Sequence, residues 1–201
     1  MKRYFLPALV FALCAAVGCR IQVDKSKNGD DKNVKIDTPL GGLHVTTDQM
    51  SAASVGLPAY PGAQLVTEHK DNDKNKQSAD IHLGFGKWQL HVKVVTYQTP
   101  DSQDQVLSFY RKALGRYGDV IQCNNGSAVG TPTATREGLT CSENHGNNMH
   151  VEENDSLNLR AGSKHHQHIV EIKKSDGNDT HFALVELELP TDSGDNSSES
   201  Q

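Results

Sequence analysis

Between Pro100 and Gly118 the chain reads DSQDQVLSFYRKALGRYG, and this stretch decides the class of fold. Val106, Phe109, Tyr110, Ala113, Leu114 and Tyr117 recur at i, i+3, i+4, i+7, i+8 and i+11, which lines them up as one apolar stripe on a helix. Ser102 and Gln105 have the spacing of a capping box, and Gly118 suits the left-handed residue that closes a helix. Pro100 ends whatever precedes. A helix with one apolar side needs a surface to lie on, and the flanking sequence supplies strands.

NVKIDTPLGGLHVTTD predicts a small hairpin, with Val34 and Ile36 alternating before a Pro-Leu-Gly-Gly turn and Leu43 and Val45 after it. In GLPAYPGAQLV, Pro58 and Pro61 set an extended entry to a strand through Leu65 and Val66. KDNDKNKQSAD is a polar turn region. DIHLGFG and WQLHVKVVTYQT predict a second hairpin about Gly84 to Lys87, in which Trp88, Leu90, Val92 and Val94 share a face. Beyond the helix, DVIQC and GLTC read as two short strands. SLNLRAG, HHQHIVEIKK and HFALVELELP read as three more, the last two joined by the turn SDGND. Leu184 to Leu189 alternates apolar and acidic residues, which predicts one buried face and one wet face. Strands gathered about one helix predict an α+β fold: a mostly antiparallel β-sheet with one main amphipathic helix packed across it, plus an N-terminal hairpin.

The N-terminus carries an address. Lys2 and Arg3 precede an uncharged run from Phe5 to Gly18, too short to span a bilayer, which takes roughly 20 apolar residues. It reads as the apolar region of a signal peptide. Ala16-Val17-Gly18-Cys19 resembles the lipobox of bacterial lipoproteins, with alanine where leucine is usual. That resemblance makes Cys19 the first mature residue and the site of lipid attachment. Stable anchoring needs more than one acyl chain, which lipoprotein modification supplies. Arg20 to Lys35 is dense in charge and poor in aromatics, so it reads as a flexible tether. The organisation expected is therefore residues 1–18 as signal peptide, 19–35 as anchor and tether, 36–190 as a single α+β domain and 191–201 as a disordered tail.

Four cysteines sort accordingly. Cys14 lies in the discarded segment and Cys19 takes the lipid. Cys123 and Cys141 remain as a pair outside the cytosol, where disulfides persist, and are assigned to a structural bridge contributing about 3 kcal/mol.

GLPAYPGA, VLSFYRKALGRYGDVIQC, GSKHHQHIVEI and FALVELEL, in this order behind a lipobox, resemble a group of uncharacterised bacterial envelope lipoproteins. The resemblance covers most of Gly56 to Leu189. It implies the architecture and a lipid-anchored position in the cell envelope, facing the periplasm or exterior. It implies no catalytic residue.

Net charge is -5 over 201 residues, which argues against a nucleic-acid binder and against adhesion to anionic lipid through charge. No nucleophile elbow, metalloprotease helix or phosphate loop occurs, so no enzyme, cofactor or catalytic residue is assigned. Ten histidines include KHHQH at Lys164 to His168. On a strand His166 and His168 point the same way, and such a pair grips a divalent ion when a neighbouring strand brings a third ligand; His181 is the candidate for that role. Solvated histidines are the simpler account, and no metal ligand is assigned. His82 and His91 are read as surface positions beside Trp88, and Glu186 and Glu188 as a solvated face. Arg111, Lys112 and Arg116 make at best an anion patch. The function expected is a non-enzymatic interaction or scaffold module, partnered by the membrane through its anchor and by another envelope protein. The alternative is a metal or small-ligand binder using the His165–His168 cluster.

Overall fold

Period-two alternation builds most of this molecule. The computed structural model describes residues 19–25, 31–47, 50–66, 78–141, 157–174 and 179–190. The expected signal peptide and C-terminal tail, the polar stretch 67–77 and residues 142–156 and 175–178 lie outside the described residues. One sheet holds β1 (Arg20–Lys25), β2 (Asp31–Thr38), β3 (Gly41–Thr46), β4 (Gln64–Leu65), β5 (Ser78–Phe85), β6 (Trp88–Thr99), β7 (Val120–Asn124), β8 (Ser127–Ala128), β9 (Leu157–Gly162), β10 (His166–Lys174) and β11 (Thr180–Glu188). Its order is β1-β2-β3-β5-β6-β11-β10-β9-β7-β8, with β4 added beside β6. Neighbours are antiparallel throughout. Two β-rich halves, one before the helix and one after it, meet where β6 pairs with β11. The fold is α+β.

The helix α1 (Gln103–Leu114) begins at the expected capping box, in which the Ser102 hydroxyl accepts the Gln105 N–H and the Gln105 side chain accepts the Ser102 N–H. Asp104 in its first turn and Arg111 and Lys112 in its last complement the helix dipole. It ends at Leu114 and tightens into a 3-10 turn, Gly115–Tyr117. Gly118 closes that turn at φ 114 and ψ -150, a positive φ but not the left-handed helical position expected. Val106, Tyr110 and Leu114 are fully buried. They pack with Val95, Tyr97, Leu159, Val170, Ile172, Phe182 and Leu184 from the sheet. Burying each aliphatic side chain of this kind stabilises the fold by about 1.5–3 kcal/mol.

Tyrosines fasten the Gly-Leu-Pro-Ala-Tyr-Pro-Gly-Ala loop to this core. The Tyr97 hydroxyl accepts the Ala52 N–H at 2.9 Å, Tyr110 donates to the Pro58 carbonyl at 3.2 Å, and Tyr117 donates to the Gly56 carbonyl. Tyr60 turns its own hydroxyl to Asp101 at 2.8 Å. Backbone groups packed against a core need partners, and phenols from the sheet, the helix and the 3-10 turn provide them here and in the preceding turn at Ala52.

Three expectations need correction. Arg20 to Lys25 is not a free tether but strand β1, with Ile21 opposite Ile36 and Val23 opposite Val34. Two apolar residues at alternate positions suffice to extend an existing sheet edge, even in a charged segment. GLTC is not a strand, because Thr135 folds it into a turn: its amide donates to the Leu139 carbonyl at 2.9 Å and its hydroxyl accepts the Leu139 N–H at 3.0 Å. Only a single bridge, Ala134 with Thr140, remains of ladder pairing there. The strand entered through Pro58 and Pro61 shrinks to Gln64 and Leu65. Trp88, Leu90, Val92 and Val94 do share a face, which is the side of the sheet away from α1; the helix covers the other parity, Val95 and Tyr97.

The Cys123–Cys141 disulfide is formed, with Cα atoms 5.5 Å apart across a separation of 18 residues. With Ile121, Leu139 and Ala128 it makes a second, smaller core. Cys19 is exposed and unbridged.

Candidate functional site

The helix side of the sheet changes character beyond the end of α1. On β6 the parity that buries Val95 and Tyr97 continues outward as Lys93 and His91, and on β11 the parity of Phe182 and Leu184 continues as Glu186 and Glu188. On β10, Val170 and Ile172 give way to His168 and His166. Register then lines these residues up in rows. One runs His44, His82, His91, Glu188, His166 across β3, β5, β6, β11 and β10. The next runs Thr46, Asp80, Lys93, Glu186, His168.

Charges within the rows are paired. His91 Nε2 lies 2.6 Å from Asp80 and His44 Nε2 lies 3.1 Å from Asp37. Lys93 donates to Glu186 Oε2 at 2.8 Å, while Glu186 Oε1 lies 3.2 Å from His166 Nε2 and 3.9 Å from His168 Nε2. Glu186 is thus a hub, and its side chain is only 14% exposed. The expectation of a solvated face for this residue is corrected by parity. Glu186 belongs to the side of Phe182 and Leu184, while Val185 and Leu187 look the other way.

His168 is the most enclosed of the group, its side chain 4% exposed. Its ring stacks on Tyr117 with centroids 3.6 Å apart, and its Nδ1 is buried without a hydrogen-bond partner among the described residues. Burial, with nearby His166, Arg116 and Lys93, lowers its pKa against the opposing pull of Glu186 and so favours the neutral ring. Burial alone would raise the Glu186 carboxyl, but hydrogen bonds from Lys93 and His166 prevail and hold it below its ordinary value. The same hydrogen bond raises the Lys93 ammonium.

His166, His168 and Glu186 each offer one ligand atom, all within 4.8 Å of one another. Two imidazoles and a carboxylate are a donor set suited to zinc and similar divalent ions. Ligands about 2 Å from a common ion lie closer together than this. His166, the exposed member, is the one free to close in.

The sequence-derived candidates fall out unequally. His166 and His168 do share a side, as alternation requires. His165 leaves the group, its Nδ1 3.0 Å from the Pro190 carbonyl. His181 lies far along β11, opposite Lys173 and Gln98, and so is not the third ligand. The residue beside His166 and His168 is Glu186. The signal for it was register: a pairing of His168 with Glu186 is centred on Gly177, within the Ser-Asp-Gly-Asn-Asp segment that the sequence marks as a turn. His82 and His91 face each other across β5 and β6, ring centroids 5.4 Å apart, on the helix side rather than beside Trp88. The anion patch is dispersed, with Arg111 bonded to Gln122 and the Arg116 guanidinium 5.3 Å over the Tyr117 ring.

A surface cleft is lined by Tyr60, Pro61, Asp101, Gln105, Ser108 and Phe109, with the Tyr60 hydroxyl bonded to Asp101. Among the described residues no helix is long and apolar enough to cross a membrane. Comparison of the chain with protein-family models, with curated proteins and with solved structures finds no match.

Proposed function

We propose that this chain is an exported lipoprotein of a bacterial cell envelope, lipid-anchored at Cys19. Its domain acts as a non-enzymatic interaction module toward another envelope component. The observation that carries this is the division of labour among cysteines: Cys123 and Cys141 are bridged and buried, while Cys19, following directly on the apolar run, is exposed and unbridged. A buried structural bridge is at home in an oxidising compartment. Labelling cells with palmitate should mark the native chain and not Cys19→Ser, and the intact mass should begin at an acylated Cys19. A native protein that keeps Met1, or carries no acyl mass, refutes the anchor. Crosslinking in intact cells followed by mass spectrometry identifies the partner.

A second reading has a specific observation in its favour. The ligand atoms of His166, His168 and Glu186 lie within 4.8 Å of one another, burial favours the neutral form of His168, and one carboxylate oxygen lies near both rings. A divalent transition metal held there would make this a metal-binding envelope protein. Calorimetric titration with zinc tests it: one site per chain, lost in His166→Ala, supports it, and absence of uptake by the native protein removes it.

A further inference from the structure

Two hairpin ends and the start of β1 converge at one edge of the sheet. Thr38 lies opposite Gly41, Gly41 opposite Phe85, and Phe85 opposite Trp88. The Gly86 N–H donates to the Leu40 carbonyl at 3.3 Å, which ties the β2–β3 turn to the β5–β6 turn. Phe85 and Trp88 hold their rings 6.2 Å apart. Arg20, opposite Asp37, places Cys19 at this same edge, three strand spacings from Phe85, or roughly 15 Å.

This edge is also where the large exposed apolar side chains gather. Leu40 is 81% exposed, Ile21 66%, Phe85 52% and Trp88 41%. Ile21, Phe85 and Trp88 share the sheet face away from α1 and continue its apolar row, Ile36, Leu43, Leu83 and Leu90. Arg20 and Lys87 are exposed beside them. Exposed apolar groups in one place mark a contact surface, and tryptophan and phenylalanine flanked by cations have the chemistry of a bilayer's headgroup boundary.

Resting on the lipid-anchored reading above, we infer that this edge is a membrane-contact surface, in which Ile21, Leu40, Phe85 and Trp88 dip into the lipid interface beside the acylated Cys19. The chain's net charge of -5 makes the contact hydrophobic rather than electrostatic. Because β1 begins at Arg20, directly after the anchor, the domain has little slack and stands in one orientation on its membrane.

Trp88 is the sole tryptophan and reports on the contact directly. The acylated protein, extracted from membranes and reconstituted into phosphatidylcholine vesicles, is compared with the same protein in detergent-free buffer after removal of its acyl chains. In vesicles Trp88 emission should shift to the blue and be quenched by lipids brominated near the headgroup end of the acyl chain. Leu40→Asp, in a turn where folding does not depend on the side chain, should weaken that quenching while the protein stays with the vesicles. Acylated protein that floats with vesicles while Trp88 emits as in water overturns the inference and leaves the anchor standing. An unacylated Cys19 and no flotation overturns both.

Discussion

Tyr117 lies flat on His168, ring centroids 3.6 Å apart and planes 11° from parallel, while its hydroxyl bonds the Gly56 carbonyl. One side chain from the turn after α1 thus joins the tyrosine-pinned loop to the sheet and shields the most enclosed histidine. Gly56 accepts this crowding because it has no side chain: at φ 69, a Cβ would meet the Tyr117 hydroxyl at 2.5 Å and His168 Nε2 at 3.2 Å. Tyr117→Phe keeps the stack and leaves the carbonyl without its donor, which should cost about 1 kcal/mol in urea denaturation. Tyr117→Ala should in addition let the His168 pKa climb back toward its ordinary value, read by NMR titration. An unmoved His168 in that variant would show that the stack does not shield it.

The lowered pKa of His168 sets a pH dependence. The folded protein binds fewer protons at this ring than the unfolded chain does, so stability rises with pH across the window. The contribution is complete above about pH 6.5, the ordinary histidine value, and is lost as pH falls through the lower folded value. The groups facing the ring are His166, Glu186, Arg116 and Lys93. Glu186, also lowered, adds a second loss in a more acid window, below the ordinary carboxylate value. The melting temperature should therefore drop between pH 7 and pH 5, less steeply in His168→Gln. Equal slopes in the two proteins would assign the drop elsewhere.

Helix α1 was legible because its boundaries are written in local chemistry: Ser102 and Gln105 cap it and an unbroken stripe from Val106 to Leu114 faces one way. Long strands were legible for the same kind of reason. What could not be read was which face of a strand meets the helix, since Trp88 to Val94 is apolar on the side that α1 leaves open. That choice is made by the tertiary partner, not by alternation. The same blindness hid Glu186, whose position on the helix side follows from pairing with His168 across a hairpin. β1 was missed because charge density outweighed the two residues, Ile21 and Val23, that pair it to β2. Thr135 gives no periodic signal at all, and its hydrogen bonds to Leu139 replaced the strand expected at GLTC.

The bridge makes its own prediction. Cys123→Ala with Cys141→Ala removes a crosslink across 18 residues, and the chain-entropy account puts the loss at about 3 kcal/mol. Because Cys123, Ile121 and Leu139 are completely buried, the small core about them should loosen first. Hydrogen exchange should then quicken at β7 before β6. A uniform change over the sheet would mean that this region is not a separate unit of stability.

Lys93 and Glu186 form an ion pair whose side chains are both less than a quarter exposed, at 23% and 14%. Removing one partner of a well-buried pair costs about 3–5 kcal/mol because the other charge is stranded. Here some water reaches both groups and His166 remains beside Glu186, so Lys93→Met should cost nearer to 1–2 kcal/mol by the same reasoning. The loss should be smallest at low pH, where the stranded carboxylate takes a proton. Metal affinity should move the opposite way. With its cation gone, Glu186 Oε2 is released and the repulsion on an incoming dication is lifted. Zinc should therefore raise the melting temperature of Lys93→Met more than that of the native protein, since a ligand bound only to the folded state stabilises in proportion to its affinity. A variant that is less stable yet no more responsive to zinc would leave His166, His168 and Glu186 as a hydrogen-bonded cluster and nothing more.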